Sequence, residues 1–205
     1  MFEKIVRFIQ GLDVTSISNE RIMELDQLAA AIMNLEKSTK EVKLNFICTH
    51  NSRRSHLSQV WAQTLAHYYK LERVTCFSGG TEATAVFPAV LETLTDVGFV
   101  VEKQNDSANP EYHILYSDIE TPIVAFSKCI DDVHNPVKDF IAVMTCTQAD
   151  EACPAVRGAS YRIALPFEDP KAFDAAPNKM EKYAERSTQI ATELKYVFST
   201  LSKKA

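Results

Sequence analysis

The stretch Phe46-Ile-Cys-Thr-His-Asn-Ser-Arg-Arg-Ser55 decides how the chain is read. Ahead of it, Val42 to Ile47 alternates apolar and polar and ends in an apolar pair, the pattern of a short buried strand. Behind it, Leu57, Val60, Trp61, Leu65 and Tyr68 fall on one helical stripe. Cys48 to Arg54 is therefore expected to be a tight strand-to-helix loop, opened by a cysteine and closed by an arginine. Backbone N–H groups of such a loop converge at the helix N-terminus, where the dipole also favours negative charge.

A tetrahedral oxyanion fits that cradle, with Thr49, His50, Asn51, Ser52, Arg53 and Ser55 around it and Arg54 supplying a bidentate fork. The same field favours a thiolate, which makes Cys48 a nucleophile. Asn51 and Ser55 are short hydrogen-bonding residues suited to fixing the loop and the sulfur, and Arg53 adds charge near the anion. The chemistry indicated is attack on phosphate or a phosphate-like oxyanion. The plainer alternative is a buried cysteine that ends a strand, followed by a solvated basic turn.

Composition sets the frame. With 205 residues, 46% hydrophobic and 24% charged, the chain can bury one substantial core with a small appendage. A net charge of −5 argues against a general nucleic-acid binder. No apolar run approaches the ~18 residues of a membrane span. The opening Met1-Phe-Glu-Lys-Ile-Val-Arg-Phe-Ile mixes acid and bases and does not read as a signal peptide. Five cysteines, without a Cys-x2-Cys pair, suit a cytoplasmic protein with working thiols and neither a disulfide scaffold nor a metal site. No tightly bound cofactor is expected.

Residues 1–40 read as an N-terminal extension of two helices. Phe2, Ile5, Val6 and Ile9 precede the stop at Gly11, and Ile22, Leu25, Leu28, Ala29, Ile32 and Leu35 then recur at helical spacing. The remainder, 41–205, reads as one catalytic domain. A second strand spans Arg73 to Phe77, and Ser78-Gly79-Gly80 turns the chain. Pro88 opens a helix with a stripe of Val90, Leu91, Leu94 and Val97, which Gly98 stops. This strand-helix alternation implies a parallel sheet with right-handed crossovers.

From Glu102 to Pro110 the sequence is polar and turn-rich, and an insertion over about 103–137 offers a hairpin of Tyr112–Tyr116 and Pro122–Ser127. Asp139 to Thr145 is an apolar strand that delivers Cys146 at its C-terminal end, the side of a parallel sheet where ligands bind. Cys48 and Cys146 can therefore share one rim. Tyr161 to Leu165 is the last strand, and a helix from Asn178 to about Leu201 closes the sheet. Cys76 and Cys129 read as packing residues and His134 as a surface turn residue.

Cys48-Thr-His-Asn-Ser-Arg-Arg-Ser55 resembles the phosphate-binding loop of the low-molecular-weight tyrosine phosphatase superfamily, which includes the thioredoxin-coupled arsenate reductases. The resemblance runs through Ser78-Gly-Gly-Thr-Glu-Ala83 to Asp169-Pro170 and the last helix, leaving out the first forty residues and much of the insertion. It implies an α/β three-layer sandwich around a central four-stranded parallel sheet (phosphatase I-like), to which this chain adds the N-terminal helical extension and the inserted β-hairpin. It also implies that Asp169 is the general acid and that Cys146 and Cys153 are the second and third thiols of a relay. Cys48 would attack arsenate, Cys146 would take over the oxidised sulfur, and Cys153 would carry the disulfide outward to thioredoxin or a similar thiol reductant.

If Thr147 to Ala152 were helical, the α-carbons of Cys146 and Cys153 would lie roughly 10 Å apart. A disulfide tolerates about 7 Å, so the segment would have to rearrange on oxidation. Three places depart from the family, the first being Arg53, which replaces a small residue or cysteine in the loop. Gln59 stands where many reductases have an acidic potassium ligand, and Lys171-Ala-Phe follows Asp169-Pro170 where tyrosine phosphatases have paired tyrosines. Two alternatives to an arsenate reductase stay open: a phosphatase that works through phospho-Cys48, and a non-catalytic oxyanion-binding module.

Overall fold

The computed structural model describes residues 1–153 and 155–203. Its elements in chain order are α1 (Glu3–Gly11), α2 (Asn19–Ser38), β1 (Val42–Cys48), α3 (Arg54–Tyr68), β2 (Val74–Gly80), α4 (Pro88–Val97), β3 (Val100–Lys103), β4 (Tyr112–Leu115), β5 (Ile123–Ala125), β6 (Phe140–Met144), α5 (Thr147–Ala152), β7 (Ala159–Ala164) and α6 (Lys179–Ser202). The order β2-β1-β6-β7 makes a four-stranded sheet, parallel at every pairing. A separate antiparallel sheet holds β3, β4 and β5.

Alternation along β1 sorts its side chains between two layers. Val42, Leu44 and Phe46 join Ile141, Val143 and Ile163 in the main core, against apolar residues of α2, α3 and α6. Ile47 turns to the other face with Phe140, Ala142 and Met144, covered by Ala149 of α5 and by Ile130, and Cys48 at the strand end joins that cluster. The result is the α/β fold with a central parallel sheet that the family resemblance implies. The second covering layer is thin, one short helix and a loop.

The N-terminal helices are integral to that core. Ile5 and Ile9 of α1 and Leu25, Leu28, Ile32 and Leu35 of α2 are buried in the same cluster as β1. Phe8 stacks on Trp61 with ring centroids 5.2 Å apart. Ser18 caps α2, its hydroxyl accepting the Arg21 N–H at 3.3 Å. Arg21 itself reaches out of the helix: Nε donates to Glu193 at 2.8 Å, one terminal nitrogen donates to the Pro166 carbonyl at 3.1 Å, and the guanidinium lies 4.9 Å over the Phe167 ring.

Two local expectations change. Ser78-Gly79-Gly80 is not a turn but the end of β2, paired with β1 so that Cys48 faces Gly80. The approach there is close enough to require glycine, because a Cβ on residue 80 would sit 2.7 Å from both the Asn51 nitrogen and the Thr49 oxygen. The inserted hairpin is in fact part of a three-stranded sheet, because Val100–Lys103 pairs antiparallel with Tyr112–Leu115. Glu102 and Lys103, read as turn-rich sequence, are strand residues. β3 is an exposed edge, so its side chains carry no alternating apolar signal. Among the described residues no helix is long and apolar enough to cross a membrane, and no group of three or more His, Cys, Asp or Glu is placed to hold a metal ion.

Candidate active site at the rim of the parallel sheet

The loop between β1 and α3 is built by its own short side chains. Ser55 Oγ lies 3.1 Å from Cys48 Sγ and accepts a hydrogen bond from Asn51 Nδ2 at 2.8 Å. Asn51 adopts a left-handed conformation (φ 42°), which asparagine tolerates better than most residues. Its Oδ1 accepts the Lys128 backbone N–H at 2.9 Å. On the outer side Ser52 donates to the Ala85 carbonyl at 2.7 Å, while the His50 carbonyl accepts from Ser127 and Thr84. His50 keeps its ring half-exposed, 3.6 Å from Glu82.

His56 packs beneath the loop, one ring nitrogen 2.9 Å from the Asn51 carbonyl and the other 3.3 Å from Ser78 Oγ. Burial, reinforced by the Lys128 charge, pushes its pKa down to about 3, so the ring is neutral at physiological pH. It is a structural member of the site that the sequence reading did not include.

Arg54 opens α3 and turns back over the loop. One terminal nitrogen donates to the Phe167 carbonyl at 3.0 Å and the other to Asp169 Oδ2 at 2.5 Å. Its Nε is buried without a partner among the described residues. A buried, unpaired guanidinium donor is costly unless something accepts from it, and an oxyanion held in the loop is a fitting acceptor. Asp169 uses its second oxygen to cap the short helical turn after it, accepting from the Lys171 N–H at 3.0 Å. The arginine, the loop and the carboxylate expected as the acid thus meet in one place.

The Arg53 side chain corrects the sequence reading. Its guanidinium does not add charge to the cradle: it pairs with Asp174 at 2.5 Å, donates to Tyr183 OH at 2.6 Å and lies 4.0 Å over the Phe87 ring. Tyr183 in turn donates to Asp174 at 2.6 Å. Nothing in the sequence marked Asp174, Phe87 or Tyr183 as neighbours of the loop.

Cys146 ends β6 on the same rim. It is fully buried, its Sγ 3.5 Å from Thr49 Oγ1 and accepting the Ala149 N–H at 3.3 Å as the N-cap of α5. Cys153 stands partly exposed at the other end of α5. Thr147–Ala152 is therefore helical, and joining the two sulfurs requires α5 to unwind. Arg162 anchors this short helix, donating to the Cys153 carbonyl at 2.9 Å and pairing with Asp150 at 2.5 Å. All five cysteines are free thiols; burial pushes the pKa of Cys76 up, which suits a packing role.

No protein-family model matches the chain. It is 24% identical to Arsenate reductase 2 of Staphylococcus epidermidis over 125 residues, 61% of this chain and 76% of that protein. Among solved structures, a mutant of YwlE from Bacillus subtilis superposes with a TM-score of 0.51 at 13% identity, covering 78% of this chain and 99% of that one. A low-molecular-weight phosphotyrosine phosphatase from Vibrio cholerae O395 gives 0.50 at 14% identity, covering 77% and 94%. At these identities the structural likeness is one of fold.

Proposed function

We propose that the chain is a member of the superfamily that unites low-molecular-weight phosphatases with arsenate reductases, and that it reduces arsenate to arsenite. Cys48 attacks the arsenic while Arg54 and the loop N–H groups hold the oxygens, and Asp169 gives a proton to the departing water. Cys146 then attacks the Cys48 sulfur of the adduct. The sulfur–arsenic electron pair stays with arsenic, which leaves as arsenite, and a Cys48–Cys146 disulfide remains. Cys153 attacks Cys146, freeing the Cys48 thiolate and forming a Cys146–Cys153 disulfide for an external dithiol such as thioredoxin to reduce.

The observation that carries this reading is the contact between Cys146 Sγ and Thr49 Oγ1, 3.5 Å, which puts a second sulfur in the wall of the nucleophile's own loop. The test is arsenate-dependent NADPH oxidation in the presence of thioredoxin and its reductase. Turnover is expected for the parent and abolished in Cys48→Ser, Cys146→Ser and Cys153→Ser alike. Turnover that survives in Cys146→Ser overturns the relay.

A second reading has its own support, because Cys146 is fully buried and already engaged as a helix cap. A phosphomonoester hydrolase needs Cys48, Arg54 and Asp169 but no second thiol. Repeated hydrolysis of p-nitrophenyl phosphate, undiminished in Cys146→Ser and without arsenate turnover, would establish that reading instead.

A further inference from the structure

Where α3, β2 and β5 meet lies a pocket of about 500 Å³, lined among others by Gln59, Cys76, Tyr116, Ile123, Phe126 and Lys128. Two of its polar side chains are buried and left short of partners. Lys128 is only 4% exposed, yet its ammonium makes a single long contact, 3.4 Å to the Phe126 carbonyl, and sits 4.5 Å over the Phe126 ring. Among the described residues no carboxylate is in ion-pair contact with it; Asp132 and Glu111 act on it only through space.

Gln59, 5% exposed, donates from Nε2 to the Cys76 carbonyl at 3.2 Å and the Val124 carbonyl at 3.5 Å. Two carbonyl acceptors fix which end of the amide is nitrogen, so Oε1 is the end that remains, buried and unpartnered. A buried ammonium without a counter-ion and a buried amide oxygen without a donor each carry a desolvation cost. One ligand with an anionic group and a donor on an apolar body would offset both.

We propose that this pocket binds a small aromatic carboxylate of the hydroxybenzoate class. The carboxylate pairs with Lys128 Nζ, the ring lies against Tyr116, Ile123 and Phe126, and a ring hydroxyl donates to Gln59 Oε1. Of the acids bordering the pocket, Glu72 is solvent-exposed and Glu120 faces His67 at 3.8 Å, so solvent screens the charge that opposes an anion. Burial lowers the pKa of Lys128 to about 8, and a bound carboxylate would raise it again by pairing with the ammonium.

The pocket is separate from the anion loop, although the Lys128 backbone N–H holds Asn51 Oδ1. The site therefore stands whichever reaction Cys48 performs. The test is calorimetric titration of the full chain with benzoate and 3-hydroxybenzoate, with the anion loop kept saturated by inorganic phosphate. Saturable binding is expected for both, tighter for 3-hydroxybenzoate. Lys128→Met should weaken both by about tenfold or more, the size of a lost charge-assisted hydrogen bond.

Gln59→Leu should remove the preference for the hydroxylated ligand while leaving benzoate binding. Lys128→Met is expected to melt no lower than the parent, which separates a lost contact from a lost fold; should it not fold, Lys128→Gln serves instead. No saturable binding below about 10 mM, displacement by phosphate, or unchanged affinity in the Lys128 variant overturns the proposal.

Discussion

Cys146 Sγ stands 3.5 Å from Thr49 Oγ1, so the thiol at the end of β6 touches the residue directly after Cys48. In the proposed relay, that contact makes Cys146 the thiol that meets Cys48 first. In Cys153→Ser, arsenate should drive a single turnover that leaves a Cys48–Cys146 disulfide, readable by mass mapping of non-reduced peptides. In Cys146→Ser no link between residues 48 and 153 should accumulate, because α5 holds Cys153 at its far end. A dominant Cys48–Cys153 species would reverse the assignment.

Asp169 is bound to Arg54 at 2.5 Å and lies over the loop. Asp169→Asn keeps the shape and removes the proton to be donated. The expected loss in kcat is about 10²- to 10⁴-fold, the usual weight of a positioned acid. Phosphate affinity, followed by protection of Cys48 from iodoacetamide, should change little by comparison. Equal losses in both would assign Asp169 to holding Arg54 and not to proton transfer.

His56 makes the fold acid-sensitive. Its pKa falls from 6.5 to about 3 on folding. Between those values the unfolded chain takes up a proton that the folded chain excludes, so stability decreases as pH is lowered through that window. From pH 7 to pH 5 this one group should cost about 2 kcal/mol, read from urea unfolding at each pH. His56→Gln, which preserves a donor and an acceptor, should flatten the dependence. A slope unchanged by that substitution would locate the acid sensitivity elsewhere.

Gly80 leaves no room for a methyl group between β2 and the loop. A Cβ would come within 2.5 Å of the Glu82 oxygen and 2.7 Å of the Asn51 nitrogen, both backbone atoms that cannot simply rotate away. Gly80→Ala should destabilise the fold by about 1–3 kcal/mol and abolish phosphate protection of Cys48. Ordinary protection in a destabilised variant would show that the loop can shift without losing its anion.

Arg21 ties the N-terminal extension to the segment that carries Asp169, through Glu193, the Pro166 carbonyl and the Phe167 ring. Arg21→Ala leaves the buried Glu193 carboxylate with Gln189 as its remaining partner, and should cost about 3 kcal/mol. Adding Glu193→Gln should return most of that loss by removing the unpaired charge. Catalysis should stay severalfold low in the double variant, since the Pro166–Phe167 segment is still untethered.

What could be read ahead of the structure was local. Cys48, Asn51, Arg54 and Ser55 share one loop, and their strand and helix are announced by neighbouring residues, so chemistry and geometry both lie within a short window. Arg53 shows the opposite case. Its partners Tyr183 and Asp174 are 130 and 121 residues away, and no local pattern marks an arginine as taken. β3 escaped notice because an exposed edge strand needs no apolar alternation, and β2 ran past its expected end because strand pairing with β1 overrode the turn preference of paired glycines. Nothing in the sequence singles out Lys128; only the fold buries it.

Trp61, the one tryptophan of the chain, lies between Phe8 of α1 and Phe99, stacked on the first and edge-on to the second. Its indole N–H donates to Ser187 of α6 at 2.8 Å. The molecule therefore carries an intrinsic optical gauge: ultraviolet emission from a single fluorophore registers whether the leading arm is seated against the body, with no label attached. Departure of that arm would admit water to the indole and shift its emission to longer wavelength.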